Sequence, residues 1–195
     1  EGGFSYVGKR FKLVDLPGTY SLLSASPDEE VARSFLLFGQ PHVTVIVADA
    51  TCMERNLNLV LQVLQITGRA VLCLNLMDEA RAHGIEIDVR QLARELGIPV
   101  VPCSARSGQG IPELLREIAF MAARPDTPPP RRLPLEVPGL RLALDRIEAG
   151  LKQAFPHLSQ PRWVALRLLE GDREIMDAVR SGEIGALAKP AASVS

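Results

Sequence analysis

Three short polar signatures, each closing a strand-like run, constrain this chain more than any other feature. Asp15-Leu16-Pro17-Gly18 follows Phe11-Lys12-Leu13-Val14, Asn75-Leu76-Met77-Asp78 closes Ala70-Val71-Leu72-Cys73-Leu74, and Ser104-Ala105-Arg106 closes the run from Ile98 to Cys103. Runs of that length read as strands, and open α/β sheets bind their ligands at the C-terminal ends of strands. Between the runs lie helical signals. Ser26 reads as the N-cap of a helix reaching about Phe38, with Pro27 in its first turn and Gly39 as its stop. Glu54 to Thr67 carries Leu57, Val60, Leu61 and Leu64 at helical spacing before Gly68; Asp88 caps a helix that Gly97 ends; Pro112 to Ala122 is another helix. Gly3 to Tyr6 and Lys9 to Leu16 read as a hairpin about Val7-Gly8. Val43 to Asp49, apolar apart from Thr44, reads as a strand buried on both faces. The alternation predicts an α/β domain with a mostly parallel sheet, helices on both faces and right-handed crossovers.

The remainder differs in character. Arg124 to Gly139 holds six prolines in 16 residues and reads as an extended linker. Leu140 to Phe155, Pro161 to Leu169 and Asp172 to Val179 have helical periodicity and no strand signal, with Trp163, Leu166 and Leu169 on one apolar stripe. The expected division is an α/β domain over 1–123, a linker over 124–139, a small helical domain over 140–180 and a flexible tail over 181–195. Net charge is −1, from 22 Lys+Arg against 23 Asp+Glu, so nothing favours a nucleic-acid partner. Cys52, Cys73 and Cys103 lack zinc or disulfide spacing and read as reduced thiols. His42, His83 and His157 are far apart and read as surface residues. No apolar run approaches the roughly 20 residues of a membrane helix.

The signatures resemble those of Ras-like nucleoside triphosphatases. In that setting Asp15 holds Mg²⁺ through water and Gly18 brings a bare N–H to the γ-phosphate. The structural alternative for Asp15 is a strand-ending Asp before a Pro-Gly turn. Asp78 offers two acceptor oxygens to the N1–H and exocyclic amine of guanine, and Asn75 ties neighbouring loops and can reach the base. Ala105 would present its N–H to the guanine O6, with Ser104 in register beside it. Asn and Asp after a buried strand are otherwise ordinary turn residues. Many such enzymes carry glutamine at the position of Thr19 to orient the attacking water. Thr19 is a shorter group, which predicts slow hydrolysis or a water positioned by other means. Asp28 and Glu29 are carboxylates that also serve a helix N-terminus.

Longer strings carry a more specific resemblance. Val14 to Leu22 (V-D-L-P-G-T-Y-S-L), Asp28 to Arg33, Asp49 to Leu57 (D-A-T-C-M-E-R-N-L) and Asn75 to Ala80 resemble the cytosolic G domain of FeoB ferrous-iron transporters. Arg162 to Asp172 resembles the helical domain that follows it. The resemblance implies GTP and GDP as ligands, Mg²⁺ held through water by Asp15, and admits a monovalent cation. It also implies a transmembrane region as partner, a homo-oligomer, and a place at the cytoplasmic face of the bacterial inner membrane, this chain itself being soluble. The rival readings are a non-catalytic interaction fragment and a soluble ribosome- or tRNA-associated GTPase, the latter disfavoured by the neutral charge.

One departure stands out: no G-x-x-x-x-G-K-[ST] occurs in the 195 residues. The expected fold is therefore a Ras-like sheet without its first strand and phosphate loop. That strand would lie centrally, between the strand ending at Asp15 and the one ending at Asp49. Unpaired strand edges cost on the order of 1–3 kcal/mol per buried group, so residues 1–195 alone are expected to fold poorly and to hydrolyse no GTP above background.

Overall fold

The computed structural model describes residues 1–22, 26–39, 41–124, 138–158, 160–169 and 171–186. Among them the chain forms two compact units, residues 1–131 and 132–195.

The first unit begins with a hairpin of β1 (Gly2–Tyr6) and β2 (Lys9–Leu13), paired antiparallel, with Phe4 stacked on Phe11 across the strands. Val7 and Gly8 both have positive φ, the turn geometry that matches hairpin twist. β2 stops at Leu13, short of the expected Leu16, because its register with β1 ends there. A second, parallel sheet has the order β3-β4-β5, built from β3 (Thr44–Asp49), β4 (Ala70–Asn75) and β5 (Val100–Pro102). β2 and β3 thus belong to different sheets, and each has a ladder on one side only among the described residues. This is the gap expected between the strands leading to Asp15 and Asp49.

The central strand is β4, where Ala70 to Leu74 are all buried. β3, expected to be buried on both faces, instead exposes Val47 at 60%, and it is the outer strand of this sheet among the described residues. Val71, Cys73, Val101, Cys103 and Met121 form a core cluster under this sheet. The helices are α1 (Pro27–Phe38), α2 (Met53–Ile66), α3 (Met77–Ala82), α4 (Val89–Leu96) and α5 (Ile111–Ala122). Ser26 caps α1 by accepting from the Glu29 N–H, and Asp88 caps α4 by accepting from the Gln91 N–H. The helix α3 is absent from the sequence expectation: six residues are too few to show a period, and its sequence also reads as a polar turn.

The second unit comprises α6 (Pro138–Ala154), α7 (Pro161–Leu169), α8 (Arg173–Ser181) and α9 (Glu183–Ala186). Leu144, Leu151, Trp163, Val164, Ala165, Ile175 and Ile184 are its buried hydrophobic residues among those described. Arg162 of α7 joins Asp145 and Glu148 of α6 at 2.8 and 2.9 Å. Buried Arg167 pairs with Asp172 at 2.6 Å, and Asp172 also caps α8 through the Ile175 N–H. The apolar stripe expected on α7 is displaced. Trp163 is core, but Leu169 is 39% exposed, and Val164 and Ala165 are buried in its stead. The expected tail from Ser181 is also corrected: Ser181 ends α8, and Glu183–Ala186 is a helical turn because Ile184 is drawn into the core. Residues 187–195 of that tail, and 125–137 of the expected linker, lie outside the described residues; Pro138 and Gly139 start α6.

Candidate functional site

Two groups of sequence-predicted residues sit on the first unit, and they differ in how they are held. The first is the pair of turns after β4 and β5. Leu74 accepts from the Cys103 N–H at 2.7 Å, and the Cys103 carbonyl accepts from the Met77 N–H at 3.1 Å, so backbone bonds lace the two turns together. Asn75 Oδ1 then accepts from the Ala105 N–H at 3.0 Å. The Ser104 hydroxyl, only 1% exposed, accepts from the Asp78 N–H at 3.2 Å. Between them Leu76 turns the chain from strand to helix at φ 61°, a left-handed conformation costing a non-glycine residue about 1 kcal/mol.

That scaffold leaves the Asp78 side chain exposed at the edge. A hydrogen bond from Ser104, helped by the charge of Arg106, holds its carboxyl below the ordinary value of 3.8. Asp78 is thus an ionised, two-oxygen acceptor that faces outward, as a purine amide edge requires. Ala105 differs from expectation. Its N–H is taken by Asn75, so a carbonyl such as guanine O6 must share that donor or displace Asn75. Gly110 sustains the second turn. Its φ is 81°, and a Cβ there would lie 2.2 Å from the Pro102 carbonyl oxygen. Beside it, Ser104 donates its N–H to the Gln109 carbonyl at 2.9 Å. Cys73 and Cys103 lie beneath as neutral thiols; burial pushes Cys73 up to about 12.

The second group follows β2. Asp15 lies two residues past the strand and is exposed, as is Gly18. Asp15 therefore lies beyond the end of β2 among the described residues. Among the described residues no three potential ligands gather as a metal cluster. One exposed carboxylate does suit Mg²⁺, which keeps several waters and takes its other oxygens from phosphates. The Thr19 hydroxyl is engaged locally. It bonds the Ser21 carbonyl and accepts from the Ser21 N–H, and lies 3.3 Å from Glu29 Oε1. The two groups do not touch one another through any of these bonds.

Local contacts hold the string Asp49 to Leu57. Asp49 Oδ1 accepts from both the N–H and the hydroxyl of Thr51 at 2.7 Å, which holds its carboxyl low and starts a short 3-10 turn over Ala50–Cys52. Asn56, buried, donates to the Cys52 carbonyl at 3.0 Å and so fixes the start of α2. The Arg55 guanidinium lies 4.0 Å over the Tyr20 ring. His42, His83 and His157 are exposed.

Comparison with known proteins agrees with this architecture. A family model described as Ferrous iron transport protein B matches residues 1–118, and one described as the FeoB cytosolic helical domain matches 140–193. The chain is 38% identical over 176 residues to the Fe(2+) transporter FeoB of Salmonella typhimurium, covering 88% of this chain and 22% of the relative. It thus spans about a fifth of that protein. Among solved structures, the cytosolic domain of the T. maritima FeoB iron transporter in a GMPPNP form aligns at TM-score 0.80 and 34% identity, over 99% of this chain and 74% of that one. The FeoB G-domain from Methanococcus jannaschii aligns at TM-score 0.62 and 46% identity, over 63% and 79%. With both units matched in order and the α/β unit sharing the G-domain fold, this chain belongs to the FeoB family, of which it carries the N-terminal G domain and the helical domain.

Proposed function

We propose that the chain is the guanine-nucleotide-binding, GTP-hydrolysing regulatory part of a bacterial ferrous-iron transporter. The observation that carries this reading is the laced edge of β4 and β5: Asn75 fixed on Ala105, and Asp78 fixed on Ser104 with its ionised carboxylate exposed. Asp78 would accept the N1–H and exocyclic N–H of guanine, a donor pair that adenine lacks. Asn75 and Ala105 between them would meet O6 and the neighbouring ring edge. Leu76 supplies apolar surface beside the base.

Asp15 would hold Mg²⁺ through water, and Gly18 would present its N–H to a terminal phosphate. The metal supplies charge neutralisation on the phosphate oxygens. Thr19 is a poor candidate for orienting the attacking water, since its hydroxyl is already committed within its own turn and toward Glu29. Slow intrinsic turnover is expected. A monovalent cation and a homo-oligomer remain part of the proposal by family likeness alone. So do the transmembrane region as partner and the cytoplasmic face of the inner membrane as location. We assign the G domain to residues 1–123 and the helical domain to α6 through α9, from Pro138 to Ala186. No described helix is long and apolar enough to cross a membrane, so iron movement itself is assigned to a membrane region.

Competition binding on the full-length protein tests the reading. GDP and GTP should displace a labelled guanine nucleotide, and ATP should not. Equal displacement by ATP would refute it.

A further inference from the structure

We infer that Arg55 and Gln62 form a docking strip on α2 for residues 20–22, and that this docking positions Gly18 to meet a third phosphate. The inference rests on the nucleotide reading above and deepens it. Arg55 and Gln62 are seven residues apart, so they lie on one face of α2 about 10 Å from each other. Residues 20–22 run alongside at matching reach. The Tyr20 ring sits 4.0 Å under the Arg55 guanidinium. Two positions later, the Leu22 N–H donates to Gln62 Oε1 at 2.6 Å, and the Ser21 hydroxyl lies 3.3 Å from the same oxygen. From the other side, Arg33 of α1 donates to the Leu22 carbonyl at 3.3 Å. Leu22 is 2% exposed. Both backbone polar groups of Leu22 are therefore held by helices, one each.

The consequence concerns Gly18. Four residues along an extended chain span at most about 14 Å, so fixing Tyr20 and Leu22 restricts where the Gly18 N–H can lie. A γ-phosphate is recognised by ordering this segment, and GDP makes no such demand. A strip that pre-orders it lowers the ordering cost for the triphosphate only. Arg55 and Gln62 are thus positioning residues for triphosphate over diphosphate. The task of Arg55 within the E-R-N-L string follows from the same geometry.

The test measures affinities for GDP and a non-hydrolysable GTP analogue in the full-length protein, together with hydrogen exchange over residues 19–22 without nucleotide. Arg55→Ala and Tyr20→Ala should each lower the analogue-to-GDP affinity ratio about threefold. The double variant should fall no further than either, and Tyr20→Phe, which keeps the ring, should match the wild type. Gln62→Ala should lower the ratio about tenfold and speed exchange at Leu22 to a similar degree. Arg55 and Tyr20 are exposed, so their variants keep the fold. An unchanged ratio overturns the inference, as does equal loss of both nucleotides. A wild-type protein that binds neither nucleotide overturns the functional reading instead; exchange at Leu22 unaltered by Gln62→Ala then removes the strip as well.

Discussion

The edge after β4 and β5 and the segment after β2 carry signatures of similar length, yet only the first is held in one arrangement by bonds between its own motif residues. The reason is the ladder beneath each. β4 has a hydrogen-bonded neighbour on both sides, so the turns leaving β4 and β5 start from fixed points and reach one another. Among the described residues β2 is bonded to β1 on one side, and Asp15 and Gly18 are exposed. A motif is a geometry only when its strands are; otherwise it is a composition waiting for one. Where the second segment is ordered, at residues 19–22, the order comes from α1 and α2 rather than from the sheet.

The largest effect expected from breaking this contrast is at Gly110. A Cβ there meets the Pro102 carbonyl at 2.2 Å and the residue must keep φ 81°. Gly110→Ala should destabilise the first unit by about 3 kcal/mol, combining left-handed backbone strain with overpacking. Thermal unfolding of the full-length protein reads it, and a shift no larger than that of an exposed control such as Gly108→Ala would show that the turn relaxes freely.

Next comes Asp78. Exchanging its carboxylate for an amide replaces an acceptor by a donor at the base edge. Asp78→Asn should cost about 100-fold in GDP affinity and should shift preference toward xanthine, whose edge offers a carbonyl where guanine has an amine. Competition between GDP and XDP measures both, and unchanged guanine preference removes Asp78 from the site. On the other side of the contrast, Asp15→Asn should leave the unfolding temperature alone, because Asp15 is exposed. Its cost should appear in Mg²⁺-dependent GTP hydrolysis, about tenfold. If Asp15→Asn instead lowers stability as Gly110→Ala does, the two regions are not held differently.

Much of this was legible in sequence where spacing and chemistry agree. Ser26 and Asp88 cap helices where their side chains predict it, and the apolar run from Ala70 to Leu74 is the buried centre of the sheet. Asn75, Asp78, Ser104 and Ala105 come together because the paired strands β4 and β5 end at one edge. The partners within that edge were not legible. Nothing in N-L-M-D says that Asn75 takes the Ala105 N–H, because the two are 30 residues apart and meet only through strand pairing. Leu76 gave no sign of its left-handed backbone, since non-glycine residues adopt it only when their surroundings impose it. Val47 misled for the opposite reason. A valine in an apolar strand reads as core, and nothing in the run itself tells which face of β3 is left uncovered among the described residues.

The smallest effect concerns pH, and it isolates Asp78 from everything on the phosphate side. Its carboxyl is held below 3.8 by the Ser104 hydrogen bond and the charge of Arg106. A depressed carboxyl keeps its favourable interactions at all pH values above its ordinary range and loses them only as pH falls through the lowered value. The Asp78 carboxylate is therefore ionised from pH 8 down to 5. Nucleotide phosphates titrate within that span, so GDP affinity by itself does not isolate the carboxylate. The ratio of GDP to IDP affinity does, because the two share their phosphates and differ by the exocyclic amine that Asp78 would accept. That ratio should favour GDP by about tenfold and should vary less than about twofold between pH 8 and 5. A ratio that collapses toward one by pH 5 would mean that a group titrating near neutrality reads the amine. Asp78, as Ser104 holds it, does not titrate there.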